Sequence, residues 1–449
     1  MQVVYECCAG LDVHKKTVVV CRMKAESPGP SRREIKTFGT MTRDLLSLSD
    51  WLQEWGCTHV AMESTGDYWR PIYNVLEANF EVLLVNAQHV KRVPGRKTDV
   101  QDAEWLAELL QHGLLKASFI PPAPQRDLRD VTRYRTSLVQ ERVRAANRVQ
   151  KLLEKANIKL SSVASDSLGV SGRAMLEALV AGQEDPAQLA DLARGRLRKK
   201  QAQLEQALTG YFRPHHRFLL GHLLAHLDFL ENQIDQLAAK IAQQVETMSA
   251  SLEDPPTLSG GSSGSEGTLS GANSSTPAEK DPLLPTQAIS LWDTIPGVDQ
   301  TAAQVMVAEL GVNMSRFPDD RHVTAWAGLA PGNNESAGKH YSGRTTKGNP
   351  ALRRVLIQAA WAASRSKGTY LSALYHRLAP RRGKKRAVVA VARSILTAAY
   401  HMANRREAYQ EAGGNYFDQR SKDTVVYRLS RRLQRLGYSV VLTPQAVAI

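Results

Sequence analysis

Residues 249–285 contain nine Ser, five Gly and five Pro, and their only large apolar side chains are five Leu. Such a segment has too little apolar surface to offset the entropy lost on ordering its backbone. It is expected to be a flexible linker, and the chain must fold as separate parts on either side of it. From Val3 to about Leu115, short β-branched runs alternate with helical periods: Thr17–Cys21, His59–Met62 and Glu81–Val85 read as strands and Leu45–Trp55 as a helix. That alternation points to an α/β layer, although no Gly-rich phosphate loop follows the first strand. The expected division is an α/β domain over 1–118, a helical region over 125–248, the linker over 249–285 and a C-terminal domain over 286–449.

After Pro121, Pro122 and Pro124 the composition shifts to long, charged helix formers. Apolar positions recur every seven residues at Val131, Leu138, Ala145 and Leu152, and again at Leu220, Leu227, Ile234 and Ile241. Three residues further on stand Leu223, Leu230, Leu237 and Gln244. This coiled-coil-like stripe must be buried, either in a helical hairpin or between subunits, and the pattern fits both. Pro214 marks a break before the second long helix.

Lys and Arg total 58 against 44 Asp and Glu, a formal charge of +14. The linker itself carries −4, so the folded parts carry about +18. An excess of that size suggests a polyanionic partner, nucleic acid first. Four cysteines, Cys7, Cys8, Cys21 and Cys57, are too few for a disulfide framework and lack zinc-site spacing, which fits a reducing cytoplasm. Glu6 and Asp12 interrupt any signal-like start, and no run reaches the ~20 apolar residues of a membrane helix, so neither secretion nor membrane insertion is expected.

The C-terminal part is expected to be mostly helical. Ile295-Pro296-Gly297-Val298 precedes the helical run Thr301–Leu310, as in a helix-hairpin-helix element, whose turn can meet a phosphate; a plain helix turn fits equally. Six of the ten residues from Arg377 to Arg386 are basic, among them Arg381, Arg382, Lys384, Lys385 and Arg386. Pro380 and Gly383 put this run on a turn, and Val388–Tyr400 reads as the next helix. Such density favours phosphate-backbone contact, as do Arg129, Arg133, Arg135, Arg142, Arg144 and Arg148 along the first long helix.

Four carboxylates, from two strands and one helix, could converge. Asp12 lies in the first strand, Glu63 ends the strand His59–Met62, and Asp99 and Asp102 are three residues apart on one helix face. Gathered carboxylates raise one another's pKa unless a cation sits among them, and a pair of Mg²⁺ ions meets that need in phosphodiester chemistry. Taken singly, each acid also fits a helix cap or a strand-end surface position.

Gly10-Leu11-Asp12-Val13-His14-Lys15, Met62-Glu63-Ser64-Thr65-Gly66-Asp67-Tyr68 and Lys97-Thr98-Asp99-Val100-Gln101-Asp102-Ala103 together resemble the signature of the DEDD transposases of bacterial insertion sequences, the IS110 and IS1111 family. The resemblance continues through Gly328-Leu329-Ala330-Pro331 and Ser336-Ala337-Gly338-Lys339 to Thr346-Lys347-Gly348-Asn349-Pro350-Ala351-Leu352-Arg353-Arg354. It implies a RuvC-like, ribonuclease-H-type N-terminal domain in which Asp12, Glu63, Asp99 and Asp102 bind Mg²⁺, and a C-terminal serine domain in which Ser336 attacks DNA. Lys339, His340, Arg344 and Lys347 bring positive charge near that serine, and Arg353 follows on the next helix. The resemblance further implies a structured guide RNA and a dimer or tetramer in which acids and serine come from different copies. A RuvC-like nuclease using metal-activated water, and a non-enzymatic nucleic-acid-binding protein, are the competing readings.

Overall fold

In the computed structural model, which describes residues 2–26, 29–64, 66–85, 99–253, 282–332, 334–336 and 339–443, and only the backbone of 99–101, 334–336 and 339–342, the chain divides into two units, 1–121 and 122–449. The first is built on a sheet of β1 (Cys7–Val13), β2 (Thr17–Lys24), β3 (Arg32–Gly39), β4 (His59–Glu63) and β5 (Glu81–Val85), in the order β3-β2-β1-β4-β5. Strands β1, β2 and β3 are mutually antiparallel, while β4 pairs in parallel with both β1 and β5.

Alternation along β1 sends successive side chains to opposite faces. Leu11, with Val18, Val20, Val60 and Met62, packs against Leu48 and Leu52 of α1 (Thr42–Glu54) and Ile72 and Leu76 of α2 (Trp69–Leu76). Each such side chain contributes about 1.5–3 kcal/mol by leaving water. Cys8, Cys21 and Ala61 face the other way, onto Ala103, Ala107 and Leu110 of α3 (Asp99–Gln111). All four cysteines are buried and free. Strand β3 was not among the expected strands: its residues Arg32 to Thr37 are exposed and largely charged, the device by which an edge strand resists pairing with another chain.

In the second unit, α4 (Ala123–Lys155) lies along α9 (Pro214–Glu253). Leu138, Ala145 and Leu152 are buried with Leu220, Leu227, Leu230 and Ile234, so the heptad stripe is covered within this chain. Between the two long helices, α5 (Leu160–Val163), α6 (Val170–Ala181), α7 (Pro186–Asp191) and α8 (Gln201–Leu208) cap one end of the hairpin through Leu160, Met175, Leu189 and Leu204. At the other end, Leu128, Ile241 and Val245 join the core of the C-terminal helices.

The expected linker starts too early and ends too late. Helix α9 runs through Ser249 to Glu253, and buried Ser249 donates its hydroxyl to Val245 O (2.9 Å) and accepts from Thr286 N (3.2 Å). A serine that bonds the preceding turn is tolerated inside a helix, which composition alone does not reveal. Leu283 and Leu284 are buried at the entry to α10 (Pro285–Asp293), and 254–281 lie outside the described residues.

The C-terminal helices continue with α11 (Gln300–Leu310) and α12 (Asp320–Trp326), then the hairpin β6 (Asn334–Ser336) and β7 (Lys339–Ser342). They end with α13 (Pro350–Ala363), α14 (Tyr370–Arg382), α15 (Lys384–Arg405), α16 (Tyr416–Arg420) and α17 (Lys422–Arg435). Trp292 is fully buried among them and donates Nε1–H to Ala399 O (3.1 Å). The turn between α10 and α11 does not offer the phosphate site of a helix-hairpin-helix. A Cβ on Gly297 would collide with Ala359 O and Ala363 N, so the glycine serves close packing on α13. Asp299 caps α11 by accepting from Ala302 N (2.7 Å), placing a carboxylate where a phosphate would have to bind. No helix among the described residues is long and apolar enough to cross a membrane.

Candidate active site

The acids of the first unit are positioned by β1 and α3, which run in opposite directions in close contact. At the C-terminal end of α3, Gln111 O accepts from Val4 N (2.8 Å) and Tyr5 N (3.2 Å). One step along, Cys8 Sγ donates toward Ala107 O (3.6 Å), and next a Cβ on Gly10 would strike Ala103 O and Ala107 N. Only glycine lets the helix lie this close. Each two-residue step along β1 advances about one turn toward the helix N-terminus, so Asp12 stands level with the first turn of α3, which carries Asp99 and Asp102.

Glu63 reaches the same place through the sheet. Register pairs Gly10 with Ala61 and Leu11 with Met62, and the next step sets Glu63 beside Asp12 on the face that α3 covers. Asp12 has a side chain only 16% exposed, and its Oδ2 lies 2.9 Å from His14 Nε2. Glu63 and Asp102 are half-buried. The structure therefore brings Asp12, Glu63 and the first turn of α3 to one end of one sheet face. The side chain of Asp99 lies outside the described residues, and among the described residues no three His, Cys, Asp or Glu form a metal-holding group. The donor set is nonetheless of the right type: carboxylate oxygens, without thiolate, suit a hard divalent ion such as Mg²⁺.

Ser336 lies in the second unit. It ends β6 and pairs with Lys339 of β7 as ladder-paired backbone. The base of the hairpin is fastened by Gly332 N donating to Arg344 O (3.0 Å), by a bridge between Pro331 and Thr345, and by Asn349 N donating to Trp326 O (3.2 Å). Gly328 and Gly348 meet backbone to backbone with φ of 70° and 51°, a conformation and a spacing that exclude a side chain at either position.

Asn349 then ties the hairpin to the long helices. Its Oδ1 caps α13 by accepting from Ala351 N (3.0 Å) and Leu352 N (3.1 Å), while its Nδ2 donates to Glu309 Oε2 (2.7 Å). Glu309 is completely buried and accepts a two-pronged bond from Arg133 (Nε 2.7 Å, Nη2 2.8 Å), with Arg129 Nε 3.4 Å away. Arg129 also donates to Ala308 O (2.8 Å). Sequence reasoning missed this network and the His14 contact. The available signal was an acid inside the apolar run Met306-Val307-Ala308-Glu309-Leu310.

The network takes Arg129 and Arg133 out of the phosphate-contacting set expected on the first long helix. Arg129 and Arg133 are committed to Glu309, Arg142 bonds Glu231 (2.7 Å) and Arg144 lies 3.5 Å from Glu141. The basic run is also placed differently: Pro380 sits inside α14, and only Gly383, at φ 83°, breaks the chain before α15. Arg381 and Arg382 therefore close one helix while Lys384, Lys385 and Arg386 open the next, all exposed. Arg344 and Lys347 are exposed near the hairpin base, and Arg353 donates to Thr346 O (3.2 Å). The side chain of Lys339 lies outside the described residues.

Residues 9–158 match the transposase family model for DEDD proteins of the IS110 type, and residues 290–376 match the Transposase IS116/IS110/IS902 family. Together these spans exceed half of the 449 residues. A Sinorhizobium fredii protein that bears the name "Putative transposase y4rJ" is 28% identical over 321 residues, a match covering 69% of this chain and 66% of that protein. The chain thus spans just under two thirds of that relative's length.

Proposed function

Because this chain belongs to the IS116/IS110/IS902 transposase family of insertion sequences, we propose that it breaks and rejoins DNA through Ser336, with Asp12, Glu63, Asp99 and Asp102 holding Mg²⁺. What supports this reading is the strand register and helix packing that put the backbone of Asp12, Glu63 and the α3 first turn toward one end of one sheet face. The strand order and directions support a ribonuclease-H-type assignment of the first unit. When bound, the metal supplies charge stabilisation to a reacting phosphodiester.

The residues of the chain do the rest. Ser336 Oγ forms a bond to phosphorus while a phosphorus–oxygen bond to deoxyribose breaks, and the serine proton passes to the displaced hydroxyl. The resulting ester retains the energy of the broken bond for rejoining. A serine hydroxyl is a weak nucleophile at neutral pH and needs positive surroundings, which Lys339, Arg344 and Lys347 supply near it along the chain. Acids and serine lie in different units, which fits an assembly of two or four copies sharing active centres. A structured RNA encoded beside the gene directs the choice of site.

The full chain, incubated with DNA spanning the ends of its own element and with RNA transcribed from the flanks, is expected to cut DNA in Mg²⁺. Cutting stops in EDTA and resumes when Mg²⁺ is restored in excess. Cutting that persists undiminished in EDTA would overturn the metal assignment. Binding without cutting under every condition would favour a non-enzymatic nucleic-acid-binding protein.

A further inference from the structure

One cleft of the second unit belongs neither to the acids nor to the hairpin. It is about 690 Å³ in volume and opens between α4, α11 and α13. Its polar lining comprises Arg133, Arg135 and Arg354, the amides of Gln140 and Gln358, and the hydroxyls of Thr132, Thr136, Ser137 and Thr301. Val139, Val305, Val355 and Pro350 provide the apolar part, and among the described residues no carboxylate lines it.

The cations of this cleft are not equivalent. Arg133 is neutralised from behind by buried Glu309. Arg135 and Arg354 make no hydrogen bond or ion pair with any described residue, although both stand on well-formed helices and face the same cleft. Two guanidinium groups with five donors each, left unanswered by the protein beside hydroxyls and amides, form a site for anionic oxygens.

We infer that this cleft binds the phosphodiester backbone of a single nucleic-acid strand, with Arg135 and Arg354 on phosphates and the valines against sugars. The inference rests on the reading that the chain acts on nucleic acid. The volume is that of a pocket for a small molecule, enough for one or two nucleotides and too small for a duplex. Among the described residues no aromatic side chain lines the cleft, so recognition runs through the backbone rather than through base stacking. The strand held there lies beside the segment that leads from the Ser336 hairpin into α13, which gives the cleft a use in holding DNA or RNA next to the proposed nucleophile.

The test measures binding of a fluorescent single-stranded DNA, the same sequence as single-stranded RNA, and the duplex, to the full chain across a salt series. The variants are Arg135→Gln with Arg354→Gln, and a control of equal charge loss, Arg196→Gln with Lys199→Gln, on exposed positions at the other end of the hairpin. The cleft pair is expected to weaken single-strand binding roughly tenfold per arginine and to reduce the slope of log affinity against log salt by about 0.7 for each phosphate no longer neutralised. The control pair is expected to bind like wild type, and melting temperatures to agree. Weakening confined to DNA or to RNA identifies which strand occupies the cleft. Equal weakening in both double variants, or a cleft variant that binds like wild type, would overturn the inference while leaving the nucleic-acid reading in place. A wild-type chain that binds none of the three probes would overturn both.

Discussion

Asp12→Asn is expected to lower Mg²⁺-dependent DNA cutting on the order of a thousandfold, because a metal ion at a reacting phosphodiester is worth several kcal/mol and each 1.36 kcal/mol is tenfold in rate. The substitution preserves shape. Asp12 is paired with Val19 of β2 one step before the end of the ladder, and an asparagine can keep the contact to His14 Nε2. The protein should therefore melt at the wild-type temperature while losing a charged oxygen donor. Asp102→Asn, at a half-buried residue of α3, should behave alike. A cutting rate within a few-fold of wild type in both variants would mark the acids as structural, whereas a common fall in activity and in melting temperature would mark them as part of the fold.

Glu309→Ala is expected to cause a large loss of stability in the second unit. Glu309 is fully buried and answers three partners, Arg133, Arg129 and Asn349. Removing one member of a buried charge pair strands the others, at a cost of about 3–5 kcal/mol. Arg133 has a side chain 39% exposed and can recruit water, which places the loss at the low end of that range. Arg129, 13% exposed, has no such relief. Calorimetry of the full chain should show the transition of unit 122–449 falling while that of unit 1–121 stays, and Glu309→Gln, which keeps an acceptor for one donor, should fall less. An unchanged second transition in Glu309→Ala would show that the network contributes nothing net.

Much of the first unit was legible because its physics is local. Thr17–Cys21, His59–Met62 and Glu81–Val85 are apolar runs of strand length, and they fall within β2, β4 and β5. Strand β3 was not, since an edge strand with exposed Arg32, Arg33, Glu34 and Lys36 carries no apolar alternation. The heptads showed that a stripe had to be buried but not by what, because a hairpin and a subunit interface demand the same pattern; the covering of Leu138 by α9 became visible only in three dimensions. Arg129 and Arg133 on α4 misled for a related reason. Whether a helix charge meets solvent or an acid such as Glu309, about 180 residues away in the chain, depends on tertiary contacts that composition does not encode.

The candidate site divides in the same way. The positions of Asp12 and Glu63 at strand ends were readable from periodicity, and Gly10 explains physically why its motif contains a glycine. Grouping four acids with a serine more than two hundred residues later came from family resemblance, since spacing alone leaves each acid free to be a cap or a surface group. The hairpin bearing Ser336 was invisible as structure because its few paired residues, Asn334-Glu335-Ser336, have no apolar alternation of their own.

The central claim is that Ser336 becomes joined to DNA in a reaction that requires the acids of the other unit. It is tested most directly on a denaturing gel of the full chain incubated with Mg²⁺, labelled DNA spanning the element ends and RNA from the flanks, with wild type, Ser336→Ala and Asp102→Ala side by side. The account predicts a labelled protein–DNA band in wild type alone. Cut DNA free of protein, formed equally by Ser336→Ala, would contradict it and assign the chemistry to water at a metal site.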